Sequence, residues 1–268
     1  MKEDANTSAS VQAVPAEPAR LHRFSVGLAR SALLVEDAQR LRYKVFAEEM
    51  GAPIRNDAGV DVDEFDAHCD HIVVRDLDTL RAVGTYRVLP PHRARRLGRL
   101  YSDSEFDLRR LDHLRPTMIE VGRSCVHRDY RSGPVIMLLW AALARYMKAH
   151  GYRHLIGCAS VPLTDGGLQA AFVRDTARRH LTPLEYRVFP HLPFPHEQIE
   201  RVGHAQLPPL IKGYLRLGAQ ICGEPAWDPG FNSADFPVLL ALDRLDRRYA
   251  RHFDLIASAP PMTRLQLA

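Results

Sequence analysis

Two groups of charged side chains in this sequence have the types and spacing for chemistry. The first is Asp61, Asp63, Glu64 and Asp66, inside a stretch, GAPIRNDAGVDVDEFDAHCD, that holds six acidic residues in twenty. Like charges this close repel, so the fold must supply a cation or leave them in water. A wet surface loop meets that need. So does a pocket for a positively charged substrate, such as an amino acid with two ammonium groups. A calcium loop fits less well, because the frame from Asp61 lacks the sixth-position glycine and twelfth-position glutamate.

The second group is Glu120 with Arg123. In a regular strand, side chains alternate, so two residues three apart face opposite sides. Gly122 lies between them, and a bulge there would turn both toward one cleft. An ion pair tying two segments together is the plain alternative, since such pairs also shift titration. Arg87 opens a further series, Arg87, Arg93, Arg95, Arg96 and Arg99, with no acid inside it. Such a series is a solvated face, or a dock for an acidic carrier protein, a nucleotide phosphate or an anionic bilayer. Nucleic acid fits poorly, because no aromatic residues interleave with the arginines.

Other signals are weaker. His71 and Asp76 have the H-x-x-x-x-D spacing of glycerolipid acyltransferases, yet the histidine opens a β-branched strand. His68, Cys69, His71 and Cys125 lack the paired spacing of a zinc site, and no metal is expected. Cys125 beside His127 suggests a thiol nucleophile, with no third group to orient the imidazole. No G-x-S-x-G, Walker A or G-x-G-x-x-G sequence occurs.

These groups need a scaffold. Residues 117–160 read as strand Met118–Val126, a polar turn, an apolar helix Pro134–Ala149 and a buried strand Leu155–Ala159. Amides at the start of that helix are unpaired, so the turn suits an anion. Upstream, the pattern predicts a strand at 24–28, a helix at 34–50, and a hairpin of strands 71–75 and 80–89. Downstream it predicts helices at 165–180, 208–217 and 244–253, with strands at 219–226 and 236–242. A short helix is expected within 90–116. Residues 1–22 read as a disordered leader, 23–255 as one domain and 256–268 as a tail. The chain has 268 residues, 46% of them hydrophobic, with net charge +4 and mean hydropathy -0.23. No run approaches the length of a membrane span, and four scattered cysteines fit a reducing cytoplasm.

The blocks IEVGRSCVHRDYR, RLRYKVFAEEMG, DVDEFDAHCDHIVV, GTYRVLP and GYLRLGAQICGEPAWDPGFNSADF resemble the bacterial L-ornithine Nα-acyltransferases over residues 23–255. The resemblance implies a GNAT-like α/β fold: a mixed, mainly antiparallel central sheet flanked by helices in three layers. It implies transfer of a 3-hydroxyacyl group from acyl carrier protein to the α-amine of L-ornithine, giving lyso-ornithine lipid. The donor would be a phosphopantetheine thioester, with no tightly bound cofactor. A more distant likeness to acyl-homoserine-lactone synthases rests on Asp63, Asp66, Arg87, Glu120 and Arg123. Gly122 replaces their usual serine, which argues against lactone formation. The stretch Tyr130–Val135 departs from the Q/R-x-x-G-x-G/A turn of acetyl-CoA enzymes at its first and last places.

Thioester aminolysis needs a neutral nitrogen, an oriented carbonyl and a stabilised oxyanion. On this reading Glu120 accepts the amine proton directly or through water, provided its environment raises its pKa. Asp63 and Asp66 meet the ammonium groups, and Arg123 or Arg87 meets the carboxylate. Amides near Cys125 and Val126 take the oxyanion, and the turn with Ser132 and Gly133 holds the thioester arm. The carrier would sit against arginines in 87–99 or 174–179, in the cytoplasm, with peripheral contact to the inner face of an anionic membrane compatible. A glycine-lipid type acyltransferase, a lactone synthase and a non-enzymatic carrier- or membrane-binding module stand as alternatives.

Overall fold

The computed structural model describes residues 23–131, 134–199 and 205–257. The expected leader (1–22), most of the expected tail (258–268) and the turn residues Ser132 and Gly133 lie outside the described residues.

The elements run β1 (Phe24–Leu28), α1 (Ala32–Tyr43), β2 (Asp70–Asp76), β3 (Ala82–Leu89), α2 (Pro91–Leu97) and β4 (Phe106–Asp107). They continue with β5 (Met118–Val126), α3 (Val135–His150), β6 (His154–Pro162), α4 (Leu168–Ala177) and β7 (Phe189–Pro190). Last come α5 (Pro209–Leu217), β8 (Gln220–Ile221), β9 (Ala226–Asp228), β10 (Ser233–Ala241) and α6 (Arg247–Ala257). The main sheet has the order β1-β2-β3-β5-β6-β10-β8, with β9 also paired to β10, while β4 and β7 form a separate ribbon. Every pairing in the main sheet is antiparallel except β5 with β6.

Side-chain alternation sorts the core into layers. Tyr86 and Val88 of β3 and Ile119 and Val121 of β5 pack with Val135, Leu139 and Leu143 of α3. Leu89 and Met118 turn the other way, onto Leu100, Phe106, Leu111 and Leu114. Cys125 meets Leu41 of α1 and Val45, just past its end, on that second side. Local chemistry fixes the ends. The Ser31 hydroxyl accepts the Leu34 N–H to start α1, and Gly151, at φ 70°, closes α3 as the helix pattern predicts.

Several boundaries differ from the pattern, among them α4 (168–177 for 165–180), α6 (247–257 for 244–253) and β10 (233–241 for 236–242), and three others have a local cause. The helix over 34–50 ends at Tyr43 and widens into a π turn over Lys44–Glu49, which keeps Val45 against Cys125. Leu80, at φ 58°, belongs to the hairpin turn, so β3 starts at Ala82. The strand expected over 219–226 is two short ones, because Gly223 lies against the Val188 carbonyl with no room for a side chain and Pro225 lacks a donor.

Candidate active site

The sheet opens at its middle. β5 and β6 pair in parallel only from Met118–His154 to Glu120–Ile156, and from there the two strands part. Gly157 sits at the fork, where a Cβ would come within 2.5 Å of the Val121 carbonyl oxygen. A glycine is what lets the strands touch there before they diverge.

A bulge on β5 falls in the open part. Thr85 pairs with Cys125 and Arg87 with Gly122, so two steps along β3 match three along β5. The residue that takes the left-handed backbone is Arg123, at φ 50°, one place after the glycine where the bulge was expected. A non-glycine residue there costs about 1–3 kcal/mol, so its side-chain contacts must hold it. Arg123 Nε lies 3.1 Å from Asp61 Oδ2 and Nη2 3.3 Å from Asp63 Oδ2. Its guanidinium sits 5.7 Å from the Tyr101 ring centroid and 5.0 Å from that of Phe231.

Behind Arg123 lies a buried network built on a residue the sequence reading missed. Arg42, with no exposed surface, donates to Asp61 Oδ2 at 2.7 Å and to Asp66 Oδ1 and Oδ2 at 2.6 and 3.0 Å. Arg87 Nη1 reaches Asp63 Oδ1 at 2.5 Å and Asp66 Oδ2 at 3.3 Å. Burial alone would raise the Asp66 pKa; the Arg42 bonds and charge, with Arg87, outweigh it and hold Asp66 well below the usual carboxylate range. Three arginines thus neutralise Asp61, Asp63 and Asp66. The offsetting cations are the chain's own, and the two aspartates expected to meet an ammonium, Asp63 and Asp66, each have both oxygens engaged by arginines. Asp63 keeps 23% of its side chain exposed. A signal for Arg42 existed: it falls four residues after Ala38, on the apolar stripe of α1.

Glu120 turns to the same side as Arg123 but does not pair with it. Its Oε2 accepts the Tyr101 N–H at 2.7 Å, and its Oε1 accepts the Ser102 N–H at 2.7 Å and the Ser102 hydroxyl at 2.6 Å. Only 5% of the residue is exposed. Burial raises its pKa against those bonds and the Arg87 charge, the direction a base requires. Direct contact with an amine is nevertheless closed, since both oxygens are engaged; the Ser102 hydroxyl that bonds it is itself buried and lies 3.4 Å from Cys158 Sγ.

A second acidic group lies near Arg123, and the sequence reading gave it no role. Asp235 on β10, Asp228 on β9 and Glu105 lie close enough to perturb one another. Among the described residues none of them makes an ion pair. Burial and the Asp228 charge push Asp235 up to about 6, against bonds from Ser233 and Ser160. Burial, with Asp235 and Asp228, pushes Glu105 up to about 7. Arg123 is the cation whose field reaches Asp235. The signal for Asp235 was a charge between Ala234 and Phe236 in an apolar strand.

The expected oxyanion amides separate. His127 N–H donates to the Val83 carbonyl, and alternation turns the Cys125 amide to β3 as well. Cys125 is therefore corrected: its amide is spent in the ladder and its thiol faces α1. The Val126 amide points away from β3, toward the open side. The expected thioester contacts at Ser132 and Gly133 lie outside the described residues. The glycerolipid-type pair is apart in role: Asp76 binds Arg23 and Tyr130, while His71 faces Asp66. Among the basic segments, Arg93 pairs with Asp70, Arg99 with Glu64 and Arg174 with Glu224. No helix of the described residues is long and apolar enough to cross a membrane.

A sheet split by one parallel pair, with a bulge at the fork, defines an acyltransferase of the GNAT class, and residues 41–141 match the acetyltransferase (GNAT) domain family. An N-acyl amino acid synthase from uncultured soil microbes shares the fold, with TM-score 0.51 and 12% identity over 82% of this chain and 91% of that one. Sequence relatives narrow the class. The L-ornithine Nα-acyltransferase of Brucella abortus is 35% identical, covering 87% of this chain and 90% of the relative. That of Rhizobium meliloti is 36% identical, covering 87% and 85%. The chain belongs to the L-ornithine Nα-acyltransferase family.

Proposed function

We propose that this protein transfers a 3-hydroxyacyl group from the phosphopantetheine thioester of acyl carrier protein to the α-amine of L-ornithine, releasing lyso-ornithine lipid. The observation that carries the reading is the bulge beside the β5–β6 fork, which sets the partly exposed Arg123 near Asp235, Asp228 and Glu105, three carboxylates that make no ion pair among the described residues. Such a cleft suits an acceptor with one carboxylate and two ammonium groups.

The thioester enters the fork and its carbonyl oxygen takes the Val126 N–H. Arg123 receives the acceptor's carboxylate, with Asp63 beside it. Asp61, Asp66, Arg42 and Arg87 hold that guanidinium in place. Asp235, Asp228 and Glu105 face the side-chain ammonium, which favours their charged forms. Glu120 draws the amine proton through the Ser102 hydroxyl and fixes the turn that presses Tyr101 toward Arg123.

The test is incubation of purified protein with 3-hydroxyacyl carrier protein and L-ornithine, L-lysine, glycine or L-norvaline, with products detected by mass. N-acylornithine should dominate. Equal rates with glycine or norvaline would sink the acceptor assignment, and no product from any carrier thioester would sink the donor.

A further inference from the structure

Tyr101 is fixed from several directions. It opens the turn Tyr101–Asp103 that follows α2, and its backbone N–H donates to Glu120 Oε2 at 2.7 Å. The turn itself is tied down, since Asp103 Oδ2 accepts the Leu100 N–H at 2.7 Å and Asp103 Oδ1 pairs with Arg115 at 2.6 Å. The Tyr101 ring stands edge-on to Phe65, with centroids 5.7 Å apart, and its centroid lies 5.7 Å from the Arg123 guanidinium.

The ring is therefore held, but the hydroxyl is not. Among the described residues it makes no hydrogen bond. Charges of both signs reach it all the same. Burial pushes the phenol above its ordinary pKa, the Arg123 charge pulls against that, and Asp235 and Asp228 add to it. The oxygen keeps its proton near neutrality and is free to donate it. A largely buried polar group without a partner costs stability, so a ligand that supplies one is favoured.

Arg123 has an open edge as well. Its Nε and Nη2 face Asp61 and Asp63, which leaves Nη1 without a partner among the described residues, and 15% of the side chain is exposed. An ionised carboxylate has about four acceptor sites, more than one guanidinium edge fills.

We propose that the Tyr101 hydroxyl binds the acceptor, donating a hydrogen bond to the carboxylate that Arg123 Nη1 receives. This role rests on the acyl-transfer reading above and deepens it. Tyr101 and Arg123 take the carboxylate end of the acceptor, while Asp235, Asp228 and Glu105 take the ammonium end. Tyr101 makes and breaks no covalent bond. By fixing the carboxylate it orients the neighbouring α-amine for attack.

The test is Tyr101→Phe, which keeps the ring beside Phe65 and Arg123 and removes one oxygen. Three ligands are compared: L-ornithine, L-norvaline (a carboxylate without a side-chain ammonium) and 1,4-diaminobutane (two ammonium groups without a carboxylate). Competition against ornithine reads the binding of the last two even where they are not acylated. Affinity for ornithine and norvaline should fall together by about 10-fold or more, while that for diaminobutane stays within about 2-fold. The kcat with ornithine should change less than its KM. The melting temperature should stay within about 2 °C, because the lost hydroxyl has no protein partner. An unchanged KM for ornithine, an equal loss for all three ligands, or a loss for diaminobutane without one for norvaline would overturn the assignment. A hydroxyl with a merely structural role would lower the melting temperature and weaken all three alike. A wild type that prefers another amino acid would refute the ornithine assignment alone; that amino acid and its decarboxylated amine would then decide the role of Tyr101.

Discussion

Arg42 Nη1 lies 2.6 Å from Asp66 Oδ1, joining α1 to a loop 24 residues away with no water-exposed surface on the arginine. Removing one partner of a buried pair costs about 3–5 kcal/mol, because the other charge is left without compensation. Arg42→Met should lower stability by that order in denaturant unfolding and release Asp61 and Asp66 together. The same network makes an acid prediction. Asp66 has a folded pKa below its unfolded one, so its contribution is present above the ordinary carboxylate pKa and fades as pH falls through the folded value. Stability that stayed flat through acid titration would contradict the pairing.

Asp235 and Glu105 predict the opposite slope for binding. Their pKa values are raised to about 6 and about 7, so both lose charge as pH drops through that range. A side-chain ammonium needs them ionised. KM for ornithine should therefore rise as pH falls from 8 to about 5.5, on the order of 10-fold for each proton that must be displaced per pH unit below the pKa. Asp235→Asn should raise KM for ornithine and leave that for norvaline, which has no side-chain ammonium, within about 2-fold. For folding the sign reverses: raised carboxylate pKa values stabilise the protein below their unfolded values, and that contribution is lost as pH rises through 6 to 7. A KM for ornithine independent of pH would remove these carboxylates from the acceptor site.

Glu120→Gln separates two roles. Three donors converge on the carboxylate, and an amide offers one oxygen and an NH2 that faces donors. The Leu100–Asp103 turn should loosen, and acyl transfer should slow by about 100-fold or more. Ser102→Ala removes the relay hydroxyl while leaving the backbone bonds. A comparable loss in Ser102→Ala supports proton transfer through Ser102. Full activity in a folded Glu120→Gln variant would reject any essential role.

Much of the scaffold was legible because it depends on local pattern. Strand 118–126 matched to the residue, as did strand 24–28, and the apolar helix between Pro134 and Gly151 shifted by one place. The charged cleft was half legible. Asp63 stood out in one charged block and Glu120 with Arg123 in another, but what a charge touches is a tertiary fact. Arg42 looked like one basic residue among several on a helix, and Asp235 stood just outside the strand assigned from Phe236. The bulge was foreseen from Gly122, yet its left-handed residue is Arg123, because two carboxylate and two ring contacts hold a conformation that backbone preference alone disfavours.

With the proposed carrier thioester as donor, strand direction predicts where the carrier docks. Arg95 and Arg96 are exposed and have no partner among the described residues, so they remain from the basic run as a surface. They lie on α2, which follows the end of β3 where Leu89 pairs with Glu120. The turn into α3 leaves from Val126, six residues along β5, roughly 20 Å away at strand rise. At that end Lys44, Arg128 and Arg131 line a cavity of about 560 Å³ with Glu48, Glu49 and Met50. Arg131 also bonds the Val126 carbonyl at 3.0 Å, which ties the cavity wall to the open strand. An arm that enters beside Val126 brings its phosphate and the carrier's acidic surface to this cavity. Replacing Lys44 and Arg128 with glutamine should weaken carrier binding and flatten its dependence on salt, since fewer charges are then screened. The same change at Arg95 and Arg96 should leave affinity and slope within about 2-fold of wild type. A salt series on both double variants reads the answer, and a loss confined to the Arg95–Arg96 variant would place the carrier at the opposite end of the sheet.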